Sequence, residues 1–349
     1  MSNQIKSLKK SEYIKSFEWA GEKISYPDKE VSGDTYPITW ASDDVLYTSA
    51  GDPCYGESHF GLDFSKIEGD PENYTLKQID PMVDYKGWGG NGPKPTGMIC
   101  VDDVLYFAFQ NLKKIKEPPF GKFSQNGTDS VILYKHITKN PTFVPAYENI
   151  DGPTFPGHKF GGPVFINFGK NNENARDEYV YAVSSDQWDN GSNMRLGRVK
   201  NDRIEDGVAW EFVCSYDIDG EPVWKADLEE SIPVLSLHKH IGVPEMVYIK
   251  GINRYLLFTW KLNGDFSPVD GTDLMVMEAP EPWGPYSLVH YEEMWEGKDV
   301  TPYCPNVPLK WVEEDGLTGW LQFSGTWGGA LRPEVYRSNV RKFKMELFE

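Results

Sequence analysis

Two aspartates near the start of the chain, Asp34 and Asp52, have the type and spacing that suit acid–base and nucleophilic chemistry. They stand 18 residues apart, at the entry and exit of a predicted β-hairpin that would bring their carboxyl groups together. Cleavage of a glycosidic bond requires two nearby carboxyls with different pKa values. One donates a proton, and the other attacks the anomeric carbon or activates water. A purely local role stays open, because both aspartates follow a glycine and such pairs favour turns.

Further polar and aromatic side chains occur at the equivalent hairpin ends along the rest of the chain. They suit a sugar, whose hydroxyls form hydrogen bonds and whose C–H faces pack on aromatic rings. The candidate substrate-binding residues are His59, Trp88, Asn91, Lys94, Asn111, Lys159, Trp188, Asn190, His240, Glu245, Lys261, Asn306 and Trp327. Trp88, in a glycine-rich loop, is predicted to be a stacking platform or a lid. His59 is also open to a structural role, and Glu245 is either a second candidate for the acid or a buried, charge-paired residue.

A repeat of five units would position these residues. Each unit contains an apolar run typical of a strand, and successive runs are 59 to 76 residues apart; the runs are centred on Leu46, Leu105, Val180, Leu256 and Trp320. A partner strand precedes each run, and a proline is predicted to open it: Pro37, Pro95, Pro163, Pro244 and Pro308. In the fifth unit the predicted partner strand is 309–311. Third strands are predicted at Leu62, Leu133, Leu196, Leu274 and about Tyr336, and a fourth strand ends each unit.

Five units of four antiparallel strands predict an all-β protein, a five-bladed β-propeller that forms a single domain over residues 1–349. The N-terminal segment, 1–32, is predicted to supply a strand that closes the ring. A β-sandwich with accidental periodicity is the alternative. In a propeller the inner strand of each blade starts, and the next strand ends, on one face of the ring. The candidate residues would therefore converge around that face.

Composition excludes several other classes of protein. The chain has 35 Lys and Arg against 53 Asp and Glu, a net charge of −18, which disfavours a nucleic-acid partner. No apolar run has membrane-spanning length, so no membrane partner is predicted. The four cysteines are scattered without zinc-site spacing, and no cofactor or metal is predicted. The N-terminus lacks a secretory pattern, which predicts a cytoplasmic protein, or a secreted or periplasmic one if a leader was removed.

Residues 33–52 resemble the opening pattern of the domain-of-unknown-function 4185 family, G-D-x-x-P-x-T-W-A-x-D-x-x-L-Y-x-x-x-G-D. The resemblance covers most of the chain and is most specific over 33–65; later segments that fit are 283–285, 310–311 and 323–325. It implies a five-bladed propeller of the glycoside hydrolase family 183 type, an endo-D-arabinanase that cleaves α-D-arabinofuranosyl bonds with retention of configuration. It further implies that Asp34 is the acid/base and Asp52 the nucleophile.

The resulting hypothesis is a glycoside hydrolase, retaining in mechanism, that cleaves furanosidic linkages in a glycan or oligosaccharide. Two alternatives remain. A non-catalytic propeller would bind the glycan without releasing products. A polysaccharide lyase would need a base and a uronate substrate, which a strongly acidic protein binds poorly. The exact sugar, endo or exo action and the oligomeric state are not predicted.

Overall fold

The computed structural model of the protein describes residues 2–28, 30–59, 61–82, 93–114, 125–136, 153–263, 271–297, 301–325 and 336–349. This part of the chain is almost entirely β-structure, which confirms the prediction of an all-β protein. Its helices are one α-helix, Asn3–Lys6, and five short 3-10 helices at Lys170–Asn172, Gly207–Ala209, Leu228–Glu230, Lys250–Ile252 and Leu309–Trp311. No helix within these ranges is long and apolar enough to cross a membrane.

The strands are short and separated by turns, as the frequent Gly, Pro, Asn and Asp residues require. In chain order they are β1 (Ile14–Trp19), β2 (Ile24–Ser25), β3 (Val31–Trp40), β4 (Leu46–Tyr55), β5 (Ser58–His59), β6 (Phe64–Glu68), β7 (Thr75–Asp80), β8 (Pro93–Val101), β9 (Val104–Lys114), β10 (Gln125–His136), β11 (Val164–Phe165), β12 (Tyr179–Ser185), β13 (Gly191–Lys200), β14 (Glu211–Tyr216), β15 (Pro222–Lys225), β16 (Leu235–Ile241), β17 (Glu245–Ile249), β18 (Arg254–Leu262), β19 (Thr272–Ala279), β20 (Ser287–Glu292), β21 (Tyr303–Asn306), β22 (Thr318–Ser324) and β23 (Ser338–Leu347).

Within the described ranges these strands form five antiparallel sheets. Their orders are β3-β4-β6-β7, β8-β9-β10, β11-β12-β13-β14-β15, β17-β18-β19-β20 and β21-β22-β23-β1, and β5, β16 and β2 pair with β4, β13 and β23. The first strands of the sheets contact one another in a closed cycle: β3 with β8, β8 with β11, β11 with β17, β17 with β21, and β21 with β3. Because β1 pairs with β23, the two ends of the chain share one sheet.

Apolar packing holds the N-terminal strand in that last sheet. Phe17 of β1 is buried, and its ring stacks on Phe343 with a centroid distance of 5.1 Å. It also meets Phe258 of the neighbouring sheet edge-on at 6.1 Å. Burial of one such side chain stabilises the fold by about 1.5–3 kcal/mol. The N-terminal strand β1 therefore pairs within the last sheet and also packs against the neighbouring sheet that contains Phe258.

The five apolar runs all lie in strands, namely β4, β9, β12, β18 and β22. The expectation that a proline opens every partner strand is wrong for three units, because Pro308 follows β21 and two other prolines lie inside strands. Pro163 and Pro244 directly precede β11 and β17, but Pro37 and Pro95 lie inside β3 and β8, where the register with the next strand shifts. Proline has no N–H to donate, which suits Pro37, because it lies in the shift between Thr35 and Ile38, outside the ladder. Pro95 is paired with Phe109, next to the shift before Gly97.

The partner strand predicted at 309–311 is also wrong. Leu309–Trp311 is a 3-10 helix that begins after Pro308, and the strand that pairs with β22 is Tyr303–Asn306, on the other side of that proline. Two predicted third strands are displaced by a few residues. Leu62 forms only an isolated bridge to Gly51 before β6 begins, and Tyr336 precedes β23.

Candidate active site

The β3–β4 hairpin brings the two predicted aspartates to the same place. Asp34 lies opposite Gly51 across the ladder, so Asp52 is the next residue after its direct partner. Immediately after Asp34 the strand bulges, and Thr35 and Tyr36 adopt left-handed backbone angles, with φ of 66° and 50°. Such residues cost about 1–3 kcal/mol each and persist where the surroundings fix them. Here Asn306 supplies part of that restraint, because its Nδ2 donates to the carbonyl oxygen of Thr35 at 2.8 Å.

Asp34 is buried, with only 3% of its surface exposed. Two tyrosine hydroxyls donate to its Oδ2: Tyr303 at 2.9 Å and Tyr336 at 3.1 Å. The other carboxyl oxygen, Oδ1, is buried and has no hydrogen-bond partner among the described residues. Tyr303 lies in β21 of the last sheet, which contacts β3, and Tyr336 lies two residues before β23 of the same sheet. The sequence analysis did not select either of them as a site residue.

The surroundings of Asp34 favour its protonated form. Burial, followed by the negative charge of Asp52, raises the pKa of Asp34 to about 7, although Lys94 and the two tyrosine hydroxyls act in the opposite direction. Burial and the nearby Asp34 raise the pKa of both Tyr303 and Tyr336 well above the usual value, so both remain neutral hydrogen-bond donors. A carboxyl that titrates near neutrality is suited to general acid–base catalysis.

Asp52 has a different environment. Its side chain is 44% exposed, and its Oδ1 accepts a hydrogen bond from Lys94 Nζ at 2.5 Å, which forms an ion pair. Lys94 belongs to β8 in the neighbouring sheet and is itself only 12% exposed. Asp52 has a left-handed backbone, with φ of 45°, and its N–H donates to the carbonyl oxygen of Gly61 at 3.1 Å. One carboxyl of the pair is thus buried among tyrosines, and the other is solvated and paired with a cation.

A third aspartate, Asp63, holds the exit of the hairpin in place. It is fully buried, and its Oδ1 accepts from the backbone N–H of Ala50 at 2.7 Å. Its Oδ2 accepts from the hydroxyls of Tyr55 and Ser65 at 2.7 and 2.6 Å. Burial raises the pKa of Asp63, and these hydrogen bonds lower it. Asp63 therefore fixes Ala50, two residues before Asp52, and is a positioning residue that the sequence analysis did not select.

Among the predicted substrate-binding residues, Lys94 contacts Asp52, and Asn306 contacts Thr35, the neighbour of Asp34. Trp188 contacts the site indirectly: its buried ring packs edge-on against Tyr303, with a centroid distance of 5.5 Å, and Tyr303 binds Asp34. Asn111 is buried in β9 opposite Pro93, next to the residue that pairs with Lys94.

Five of the remaining candidates make other contacts. Lys159 pairs with Glu229, and Lys261 donates to Asn263. Asn190 bonds the backbone of Leu262 through both atoms of its amide, which accounts for its burial. His240 forms a hydrogen bond from its Nδ1 to the carbonyl oxygen of His238 at 2.6 Å, and burial lowers its pKa. Glu245 accepts a hydrogen bond from the Val307 N–H at 3.5 Å, and burial raises its pKa well above the usual value.

Three candidates, Trp88, Asn91 and Trp327, lie outside the described residues. His59 lies in β5, opposite Cys54 of β4. The part of the chain that the structure describes holds no cluster of three or more His, Cys, Asp or Glu residues that suits a metal ion. All four cysteines are free thiols.

Gly51 leaves the space that the Asp34 carboxyl occupies. A Cβ atom at Gly51 would stand 2.5 Å from Asp34 Oδ1 and 3.2 Å from Lys94 Cδ, and the two tyrosines prevent Asp34 from moving away. We expect Gly51→Ala to destabilise the protein by about 1–3 kcal/mol and to impair any reaction that uses Asp34. Thermal unfolding and turnover measure the two effects. Gly61→Ala is the matched control, because a Cβ there meets nothing within 4 Å; equal losses in both variants would contradict this role of Gly51.

Several solved structures of other proteins have a fold similar to that of this chain. A candidate hydrolase from Bacteroides ovatus superimposes with a TM-score of 0.60 and 12% identity, over 92% of this chain and 87% of the other. An α-L-arabinofuranosidase from Podospora anserina, solved in complex with cellotriose, gives a TM-score of 0.50 and 9% identity over 96% and 99% of the two chains. The structural neighbours include β-propeller glycoside hydrolases. At these identities the likeness concerns the fold alone.

No protein-family model matches the sequence, and no curated protein matches it significantly. The resemblance of residues 33–52 to the domain-of-unknown-function 4185 family therefore stays a prediction. The two predicted aspartates likewise stay candidates for catalysis, now with a described environment around each.

Proposed function

We propose that the protein is a five-bladed β-propeller glycoside hydrolase in which Asp34 is the general acid and Asp52 the nucleophile. The closed cycle of five sheet contacts supports the blade count. The observation that carries the proposed function is the contrast between the two carboxyls. A buried one has its pKa raised to about 7, and a half-exposed one is paired with Lys94. Two carboxyls in such different environments fit the division of labour in glycosidic cleavage.

The hydrogen bonds around Asp34 also indicate where its proton resides. Oδ2 accepts from two tyrosine hydroxyls, whereas Oδ1 has no partner among the described residues. A proton on Asp34 is therefore better placed on Oδ1, next to Gly51 and on the side of the hairpin that carries Asp52. We propose that this proton passes to the leaving glycosidic oxygen once the bound substrate reaches the buried Oδ1, while Asp52 attacks the anomeric carbon.

We propose a furanoside of the arabinofuranosyl type as the substrate, on the strength of the sequence resemblance over residues 33–65. The fold shared with the structural neighbours supports a glycan-active enzyme in general. The sugar bound by a neighbour does not identify the substrate of this protein. A non-catalytic glycan-binding propeller is the second candidate. Against it stands the buried Asp34, because a carboxyl whose pKa is raised by burial costs stability and serves no evident purpose in binding alone.

The proposed function is tested with a panel of polymers and oligosaccharides that includes D-arabinan, L-arabinan and xylan. Product release is followed by NMR, which reports the anomer formed first. Release of a product whose anomeric configuration equals that of the substrate supports a retaining hydrolase. Binding without any product release supports the non-catalytic alternative. An unsaturated product that absorbs in the ultraviolet supports a lyase.

The pH dependence of turnover should respond to the tyrosines that bind Asp34. The Tyr303 hydroxyl lowers the pKa of Asp34, because its hydrogen bond favours the ionised carboxylate. In Tyr303→Phe the pKa of Asp34 should rise, and since the acid must be protonated, the alkaline limb of the kcat/KM profile should move to higher pH. The phenylalanine ring keeps the packing against Trp188 and Trp260. An alkaline limb that stays in place, or moves to lower pH, would show that Asp34 does not control it.

A further inference from the structure

A second cavity lies at the other ends of the inner strands, away from the two aspartates. Its volume is about 300 Å³, and its lining includes Trp40, Asn174, Lys250, Leu309, Glu313 and Glu314. Trp40 is the last residue of β3, whereas Asp34 stands near the start of the same strand. Six residues of strand at roughly 3.3 Å each set an upper limit of about 20 Å on the separation of the two positions, because the strand bulges at Thr35 and Tyr36. The cavity is therefore distinct from the candidate active site and opens at the opposite ends of the β3–β4, β17–β18 and β21–β22 hairpins.

Trp40 forms a partly exposed and fixed aromatic wall of this cavity. Its Nε1–H donates to Asp44 Oδ1 at 2.9 Å. Asp44 is itself held, because Lys310 Nζ lies 2.9 Å from its Oδ2 and Lys170 Nζ lies 3.3 Å from its Oδ1. The hydrogen bond fixes the indole before any ligand arrives, which lowers the entropy cost of binding.

The polar groups of the cavity include both hydrogen-bond acceptors and donors. Glu313 and Glu314 are exposed, and neither forms an ion pair with another described residue. Lys250 contributes an ammonium group, and Asn174 an amide. Leu309 adds partly buried apolar surface beside Trp40.

We propose that this cavity is a second carbohydrate-binding site that holds one or two sugar units of the glycan that the enzyme cleaves. Each sugar hydroxyl both donates and accepts a hydrogen bond, and a sugar also presents a C–H face to an indole. Charged ligands fit less well. The two free carboxylates repel an anion, and Lys250 in the lining together with Lys170, 5.9 Å from the Trp40 ring centroid, disfavours a cation. This inference rests on the proposed function for the identity of the ligand.

The position of the cavity determines what it can do. A short oligosaccharide bound at Asp34 and Asp52 does not reach a site on the other face of the ring. The second site should therefore increase the affinity of the protein for long chains, which can engage both faces through separate segments, and leave the turnover of short substrates unchanged.

Isothermal titration calorimetry on the Asp52→Asn protein tests this proposal, with tetrasaccharides of D-arabinan, L-arabinan and xylan as probes. We expect two binding events for the tetrasaccharide that the enzyme cleaves. Trp40→Ala in the same background should weaken one event roughly tenfold or more and leave the other unchanged. Trp224→Ala, a partly exposed tryptophan of β15 outside this cavity, is the matched control. Glu314→Ala, at an exposed position, serves as a second variant if Trp40→Ala unfolds.

Each outcome decides a separate point. A single binding event, or two events that neither Trp40→Ala nor Glu314→Ala affects, would overturn the second site. Loss of one event in Trp40→Ala with unchanged hydrolysis of short substrates would establish it. If Asp52→Asn alone leaves hydrolysis intact, the proposed active site fails while the second site is still decided by the Trp40 and Glu314 variants.

Discussion

Replacement of Asp52 by asparagine should lower turnover by roughly 10³-fold or more while the protein stays folded. An amide is a far weaker nucleophile than a carboxylate, and the change preserves the shape of the side chain. The side chain is 44% exposed, so the fold does not depend on its burial. The principal structural effect is on Lys94, which loses its ion-pair partner at 2.5 Å and is itself only 12% exposed. Initial rates on the cleaved glycan, with circular dichroism of the folded state, measure both effects.

Asp43→Asn is the matched control for this prediction. Asp43 belongs to the same hairpin but lies at its turn, where it accepts hydrogen bonds from the Val45 N–H at 3.2 Å and the Tyr47 hydroxyl at 2.8 Å. Its replacement should leave turnover unchanged, because the length of the hairpin separates it from Asp34. Hydrolysis that survives in Asp52→Asn would remove the nucleophile assignment, and equal losses in both variants would point to a structural effect on the hairpin.

The sequence predicts the part of the site that is local in the chain. Asp34 and Asp52 belong to one predicted hairpin, and the pairing of its two strands places them side by side. The pairing of Asp34 with Gly51 agrees with that expectation. Lys94 was also selected, because it stands before a proline in the next unit, a position that the repeat makes equivalent to that of Asp34.

The residues that set the protonation of Asp34 are not predictable in this way. Tyr303 and Tyr336 are about 270 and 300 residues away from Asp34 and reach it across the contact between the first and last sheets. A single sequence contains no signal for such a contact between side chains. The strand that carries Tyr303 was also misplaced, since the apolar residues after Pro308 fit a strand pattern but form a 3-10 helix. Repeat periodicity therefore located one strand of each described sheet, but not the side chains that meet between the sheets.

Replacement of Asp34 by asparagine should have two effects of opposite sign. Turnover of natural linkages should fall by about 10²- to 10⁴-fold, since the leaving oxygen loses its proton donor. An aryl glycoside with an acidic phenol as leaving group should be affected much less, because that leaving group departs without a proton. Values of kcat/KM on both substrate types measure the difference, because they report the step that releases the leaving group and not the later hydrolysis of the glycosyl-enzyme, in which Asp34 is the base. A loss that is equally large on both would indicate that Asp34 is not the acid.

The second effect is on stability and follows from the pKa of about 7 that burial gives to Asp34, against an ordinary value of 3.8. Between pH 4 and pH 7 the folded protein holds a proton that the unfolded chain has released, so the free energy of unfolding decreases as the pH rises through this range. Each unit of pKa difference corresponds to about 1.4 kcal/mol. Asp34→Asn removes this dependence, so the variant should gain stability relative to the parent protein between pH 4.5 and pH 8.

Chemical denaturation of Asp34→Asn and of the parent protein at pH 4.5 and pH 8 measures that gain. The other ionisable groups are common to both proteins, so their contributions to the pH dependence cancel in the comparison. Asp52→Asn should show a smaller gain, since it removes only the contribution that the charge of Asp52 makes to the raised pKa of Asp34. If the difference in the free energy of unfolding between Asp34→Asn and the parent protein is the same at both pH values, Asp34 is ionised in the folded state at neutral pH. The tyrosine pair would then serve to stabilise a carboxylate, and the roles proposed for the two aspartates would have to be exchanged.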